Sequence, residues 1–174
     1  KITVIDSTIN TVLQGLFVLE ASKMQQAGYS YEETITRLDE IKSTGRILFT
    51  IGNIDYLKKG GRIGKVAGIA ASTLDIKPLI ILRDGEIHLD GITRSRKKSL
   101  TKVINNVKEH FVSMNESPDD YSMAVGYGYD YEEAVMFRDL FLESLQTYSN
   151  IKEIPIYQIG STIAVHTGPY PLGI

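Results

Sequence analysis

The first part of the chain changes from a continuous apolar run to a helical pattern. Residues 2–6 are mostly apolar without regular alternation, which indicates a buried strand of the parallel type ending at Asp6. Over residues 15–27 the apolar positions recur at near-helical spacing, and Gly28 follows as a stop signal. These patterns predict a strand followed by a helix.

A second helix is predicted directly after the first. Ser30 and Glu33 have the spacing of a capping box, and apolar residues then line one face up to about Gly45. Residues 1–45 therefore indicate part of an α/β layer whose other strands are missing. Because the chain opens at Lys1, without Met, and runs at once into an apolar segment, we expect it to begin inside a longer protein.

After Gly45 the pattern changes to short strands and helices. The Asp84-Gly85 pair lies between two apolar runs and predicts a hairpin, since both residue types tolerate the positive φ angles of a tight turn. Strands are expected over 47–51, 76–82, 86–93, 121–127 and 154–159. Helices are expected after Asn53, over Gly64–Thr73, over 96–112, over 132–145 with Asp130 as the cap, and from about Ser161 to His166. This order is typical of an α+β fold.

Composition and charge exclude several classes of protein. The 174 residues are 43% apolar and 23% charged, as in ordinary globular proteins. A formal net charge of −2 gives no global attraction to nucleic acid or to an anionic membrane. No apolar run approaches the roughly 18 residues that a membrane span needs. We therefore expect a cytoplasmic protein that binds no nucleic acid and has no stable membrane insertion.

Few residues suggest a metal site, a cofactor or a catalytic nucleophile. The chain has no cysteine and only three scattered histidines, which gives a metal site little support. Gly126 and Gly128 lack the third glycine of a dinucleotide-binding fingerprint, and no Gly-x-Ser-x-Gly elbow occurs. We therefore expect no metal and no cofactor.

Two segments carry candidate ligand-binding residues. His166 is expected at the end of a short helix, where an imidazole can donate a hydrogen bond to a carboxylate or simply cap helix carbonyls. In Gly60-Gly61-Arg62, Gly61 lets the backbone approach a ligand, and Arg62 offers a planar fork for a carboxylate or phosphate. The alternative is a helix that ends at the glycines after a basic last turn.

Two further candidates have weaker patterns. Ser7 follows a predicted strand, where open α/β sheets place ligands, although it could equally cap a helix. Arg94 and Arg96 belong to the densest basic stretch, which continues to Lys102 at the start of a helix. Basic residues there oppose the helix dipole, which suggests a binding surface for a phosphate donor, a kinase partner or nucleic acid. The alternative is a solvated face, which charge runs usually are.

Several motifs in order resemble the DegV family. They are Val4-Ile5-Asp6-Ser7, the run from Asp55 to Ile63, Leu74-Asp75-Ile76-Lys77-Pro78, Asp84-Gly85, the run from Thr93 to Lys98, and His166-Thr167-Gly168-Pro169. The chain departs from the family where Tyr170 stands in place of a further glycine and where residues 8–15 are poorer in glycine than usual.

The resemblance implies an α/β protein of two domains, with a fatty acid between them. Residues 1–45 would be the remnant of an N-terminal parallel α/β sandwich, and residues 46–174 a C-terminal α+β domain with a mainly antiparallel sheet and flanking helices. The implied site residues are His166, Thr167, Arg62, Gly61 and Ser7.

The function that the resemblance implies is a carrier. It would hold a single long-chain fatty acid and present the carboxylate to a separate fatty-acid kinase, with Arg94 and Arg96 facing that partner, and would not be an enzyme itself. A phosphoryl- or acyl-transfer enzyme and a regulatory interaction module stay open as alternatives.

Overall fold

The computed structural model describes residues 1–64, 66 and 76–174. The helices are α1 (Thr11–Gln26), α2 (Tyr31–Ile41), α3 (Asp55–Lys59), α4 (Arg96–Met114), α5 (Tyr131–Leu145) and α6 (Ser161–Thr167). The strands are β1 (Ile47–Thr50), β2 (Lys77–Arg83), β3 (Glu86–Thr93), β4 (Val125–Tyr127), β5 (Ile156–Gln158) and β6 (Leu172–Gly173). The helix expected over Gly64–Thr73, together with Leu74 and Asp75, lies outside the described residues except for Gly64 and Val66.

The strands form one six-stranded sheet in the order β3-β2-β1-β6-β4-β5. Every neighbouring pair is antiparallel except β4 with β5. The expected mainly antiparallel sheet with flanking helices is therefore confirmed. The sequence did not indicate β6, yet its two residues join β1 to β4 and so connect the two halves of the sheet.

The hairpin between β2 and β3 is confirmed. Asp84 and Gly85 have φ angles of 53° and 78°, and Arg83 pairs with Glu86 across the turn. A two-residue turn with both φ angles positive matches the right-handed twist of the strands it joins. The local sequence thus determines this part of the fold.

Helices α4 and α5 pack against the sheet and form the main core. Each begins at a residue whose side chain accepts a backbone hydrogen bond, Ser95 from Lys98 and Asp130 from Glu133. The buried side chains of this core include Val103, Val107, Phe111, Phe137, Phe141 and Leu145. A smaller cluster around Ile51, Leu57 and Ile80 packs α3 against β1 and β2.

The predictions for residues 1–45 are confirmed for the helices and wrong for the strand. Residues 2–6 form no strand in the structure, and the side chains of Ile2 and Val4 are 93% and 94% exposed. Among the described residues, the apolar run pairs with no strand of the sheet. The capping box of Ser30 and Glu33 is present at the start of α2.

Several boundaries differ from the predictions, most of all those of α1, β4 and β5. Helix α1 begins at Thr11 rather than near residue 15. The strands predicted over 121–127 and 154–159 shorten to β4 and β5, because only three residues of each pair with each other. The apolar runs thus predicted where each element lies more accurately than how long the element is.

Candidate functional site

A partly enclosed cavity of about 720 Å³ lies between α1, α2 and the sheet. This volume is within the roughly 300–1,000 Å³ of typical small-molecule sites. Most of its wall is apolar, and α1 contributes much of it. The apolar wall residues include Leu13, Leu16, Phe17, Met24, Phe49 and Leu82.

Beside α3 and α6, a ring from each of these helices packs against the glycine that follows the other helix. A Cβ atom at Gly60, directly after α3, would lie 2.1 Å from Nδ1 of His166 on α6. A Cβ atom at Gly168, directly after α6, would lie 2.6 Å from the ring of Tyr56 on α3. Both distances are shorter than real Cβ contacts, so only glycine permits this packing. The two short helices are therefore in close contact.

This contact brings three of the sequence candidates into the cavity wall: Arg62, His166 and Thr167. The Arg62 guanidinium donates through Nη1 to the carbonyl of Gly60 at 2.9 Å. The Thr167 hydroxyl donates to the carbonyl of Ile163 at 3.3 Å, and the residue is 7% exposed. His166 Nδ1 is buried without a hydrogen-bond partner among the described residues.

The other two candidates lie beside the cavity rather than in its wall. Gly61 has a φ of 65° and open space around its Cα. Ser7 is 8% exposed, and its hydroxyl donates to the carbonyl of Ile9, a wall residue, at 3.4 Å. Neither residue's part in ligand binding is tested by this geometry, so both roles stay predictions.

A second polar group, which the sequence did not indicate, lies in the wall near Arg46 at the start of β1. It consists of Arg46, His110, Glu116 and Tyr121. The strand that separates Arg46 from α3 spans four residues, about 13 Å at 3.3 Å per residue. Arg46 is far in sequence from the other three residues, and no motif joins the four. The cavity wall therefore carries a second set of charged and polar groups besides the one beside α6.

The charges of this second group affect one another. Burial and the hydrogen bond to Glu116 raise the pKa of Tyr121 to about 12. Burial and the nearby Arg46 guanidinium lower the pKa of His110 from its ordinary value. Tyr121 therefore stays protonated and His110 is held towards its neutral form.

The two partner-binding candidates differ in their surroundings. Arg96 donates to Glu133 through Nε at 2.9 Å and Nη2 at 2.6 Å, which ties the start of α4 to the start of α5. Arg94 is exposed. Lys97, Lys98 and Lys102 line a shallow groove on α4 nearby. The geometry gives Arg96 a role within the chain, and contact with a partner stays a prediction for both arginines.

None of the helices in residues 1–64 and 76–174 is long and apolar enough to cross a membrane. In the same residues, no group of three or more His, Cys, Asp or Glu side chains is placed to hold a metal ion.

Comparison with known families and proteins identifies the lineage of the chain. The family model described as "Uncharacterised protein, DegV family" matches residues 1–174, which is the entire chain. The chain belongs to the DegV family. Its curated relatives include DegV domain-containing proteins of Clostridium acetobutylicum, 32% identical, and Clostridium perfringens, 31% identical. Each alignment covers 100% of this chain and 59% of the relative, so the chain spans about three-fifths of their length.

Solved DegV structures share the fold. A stearic-acid-binding protein from Eubacterium ventriosum is 43% identical, with a TM-score of 0.89 over 99% of this chain and 58% of that one. A fatty-acid-binding DegV protein from Thermus thermophilus is 24% identical, with a TM-score of 0.80 over 99% of this chain and 59% of that one. At the lower identity the likeness shows the DegV fold alone.

Proposed function

We propose that this chain supplies one wall of a site for a single long-chain fatty acid. The observation that carries the proposal is a mainly apolar cavity with His166, Arg62 and Thr167 together in its wall beside α3 and α6. The 43% identical neighbour is described as binding stearic acid, which has the same division into an apolar tail and a polar head. In this proposal the tail lies along α1 and the sheet, and the carboxylate lies beside α6.

The physical chemistry of such a ligand requires both parts of the site. A chain of about fourteen methylenes contributes on the order of 11 kcal/mol when buried, at roughly 0.8 kcal/mol each. Association and ordering offset much of this gain. A carboxylate removed from water without donors would cancel more of it, so a few hydrogen bonds decide whether the acid binds.

The described residues offer such donors. The Arg62 guanidinium donates through Nη1 to the carbonyl of Gly60, and its planar fork has further N–H groups that can donate to a carboxylate. His166 brings an imidazole into the same wall. We propose Thr167, Gly61 and Ser7 as further contributors, through a hydroxyl or through backbone that lies close to the head group.

Native mass spectrometry of the full-length protein tests the proposal. We expect a bound mass equal to one fatty acid, which is lost or reduced by His166→Ala. His88→Ala is the matched control, because His88 lies on β3 and is not part of the cavity wall. Protein that is consistently empty, or that loses its ligand equally with both variants, would contradict the proposal.

We further propose that the protein acts as a carrier, not as an enzyme, and presents the carboxylate to a fatty-acid kinase in the cytoplasm. The exposed Arg94, beside the basic groove on α4, is the partner contact that the geometry favours over Arg96. We expect Arg94→Ala to reduce phosphorylation of the bound acid by a kinase without changing fatty-acid affinity. Phosphorylation without any kinase would favour an enzyme instead.

The division into a first domain over 1–45 and a second over 46–174 is part of the same proposal. The cavity takes wall residues from both sides of that boundary, which supports a site between two units. Limited proteolysis near residues 42–46 with and without fatty acid tests it. We expect the acid to slow cleavage there.

A further inference from the structure

We propose that Gly60 is a positioning residue that fixes His166 as a donor through Nε2. The proposal deepens the fatty-acid site described above and rests on it, because it names the atom of His166 that would meet the carboxylate. Gly60 itself makes no contact with the ligand in this account. It acts by determining which edge of the imidazole ring remains available.

The steric requirement at Gly60 is specific to its side chain. Its φ and ψ angles are −79° and 0°, which residues other than glycine also adopt, so backbone conformation does not demand a glycine here. A Cβ atom would instead lie 2.1 Å from Nδ1 and 3.1 Å from Cε1 of His166. Any larger residue at position 60 therefore has to displace the imidazole ring or separate α3 from α6.

The same contact selects one tautomer of His166. A neutral imidazole has one N–H donor and one bare nitrogen that accepts. Nδ1 is buried, faces the Cα of Gly60 and has no hydrogen-bond partner among the described residues. A proton on Nδ1 would be a buried donor aimed at a Cα hydrogen of Gly60, whereas a bare Nδ1 can accept weakly from that hydrogen, so the tautomer protonated on Nδ1 is disfavoured. The neutral ring therefore carries its proton on Nε2, the nitrogen that can donate to a carboxylate.

Two further contacts keep this arrangement in place. The ring of Tyr56 packs on Gly168, directly after α6, and the Arg62 guanidinium binds the carbonyl of Gly60. His166 thus packs on the Cα of Gly60, and Arg62 binds its carbonyl oxygen. Both candidate head-group residues therefore contact Gly60.

Nitrogen-15 NMR of the ligand-free, full-length protein tests the tautomer directly. The chain has three histidines, so the His166 signals are assigned as those lost in His166→Gln. We expect Nε2 at the chemical shift of a protonated nitrogen and Nδ1 at that of a bare one. A protonated Nδ1 in the neutral ring would overturn the proposal.

Fatty-acid affinity tests the positioning role. We expect Gly60→Ala to weaken binding by about tenfold or more, the size of a lost hydrogen bond to a charged group. Gly160→Ala is the control, because Gly160 has an ordinary φ of −66° and nothing within 4 Å of an added Cβ. It should change affinity less than twofold. Equal effects of the two substitutions would contradict the proposal.

Two more variants separate a positioning role from a merely structural one. In the His166→Ala background Gly60→Ala should cause no further loss of affinity, because no ring remains to be displaced. His166→Gln should bind better than His166→Asn, since the glutamine amide reaches the place of Nε2 and the asparagine amide that of Nδ1. A further loss of affinity from Gly60→Ala in the His166→Ala background would overturn the proposal. Tighter binding by His166→Asn than by His166→Gln would do the same.

The outcomes for the two proposals are distinguishable. A protein that binds no fatty acid but shows a proton on Nε2 and a bare Nδ1 contradicts the fatty-acid site and supports the role of Gly60. A protein that binds fatty acid with Nδ1 protonated contradicts the role of Gly60 and leaves the site intact. The comparison of His166→Gln with His166→Asn still tests the role of Nε2 if Gly60→Ala does not fold.

Discussion

Helices α1 and α5 have similar lengths, 16 and 15 residues, but their apolar side chains have different surroundings. On α5 four residues are buried, including Phe137 and Phe141, and they form part of the main core. On α1, all of which the structure describes, none is buried. The cavity wall instead takes five apolar side chains from α1: Val12, Leu13, Leu16, Phe17 and Met24. Helix α5 therefore stabilises the packed core, whereas α1 leaves apolar surface open along the cavity.

The largest difference is expected for a phenylalanine on each helix. Phe137→Ala should lower the free energy of unfolding by about 3–5 kcal/mol, because it leaves a cavity in a packed core. Phe17→Ala, in the half-buried cavity wall, should lower it by less than about 1.5 kcal/mol. Urea unfolding of the ligand-free protein measures both.

Substitutions at Phe17 and Phe137 should have the opposite order of effect on fatty-acid affinity. Phe17→Ala is expected to weaken fatty-acid affinity more than any change at Phe137 that leaves the protein folded, such as Phe137→Leu. Similar losses of stability for the two alanine variants would contradict the comparison between α1 and α5.

Addition of fatty acid should have the next largest effect. A ligand at a hundred times its dissociation constant stabilises the folded state by about 2.7 kcal/mol. Because α1 forms much of the cavity wall, we expect amide exchange in α1 to slow strongly, while exchange in α5 changes mainly through global stability. Hydrogen exchange with mass spectrometry measures this. Slowing confined to α5 would show that the ligand lies elsewhere.

A smaller loss is expected from breaking the ion pair that joins α4 to α5. Arg96 and Glu133 are bidentate, with side chains 24% and 20% exposed, so removing the arginine leaves a partly buried carboxylate without its partner. We expect Arg96→Ala to cost about 1–3 kcal/mol of unfolding free energy. The exposed Arg94→Ala should be neutral within about 0.5 kcal/mol. Equal thermal stability of the two variants would contradict a structural role for Arg96.

The smallest expected effect is a pH dependence from His110, which lies on α4 and in the cavity wall. Its lowered pKa means that the unfolded chain binds the proton more readily than the folded one. Stability should therefore be fully present above the ordinary histidine pKa of about 6.5 and fall as the pH drops below it. His110→Gln should reduce the change in unfolding free energy with pH in this range. A larger change in the variant would contradict a lowered pKa of His110 in the folded protein.

Local signals in the sequence predicted the elements that depend on neighbours in the chain. Asp84-Gly85 determines a hairpin, and Ser30 with Glu33 begins α2, because both act within four residues. Strand β6 has only two residues, and its pairing with β1 and β4 depends on segments far away in sequence. For residues 2–6 the sequence predicted a strand that the structure lacks, because an apolar run forms a strand only where another strand can pair with it.

The site was predictable to a similar degree. Motifs indicated Arg62, His166 and Thr167, and all three lie in the cavity wall. No local signal predicts that His166 packs on Gly60, because that contact joins two helices about a hundred residues apart in the chain. The polar group around Arg46 and Tyr121 was missed for the same reason.

A crystal structure of the full-length protein with a fatty acid brominated at the end of its tail would locate both ends of the ligand. The bromine gives an anomalous signal that locates the tail, and the density locates the head group. We expect one carboxylate oxygen within hydrogen-bond distance of His166 Nε2 and the bromine in the apolar part of the cavity beside α1. Bromine beside α6 with the carboxylate at Arg46, or no ligand in this cavity, would contradict the proposed site.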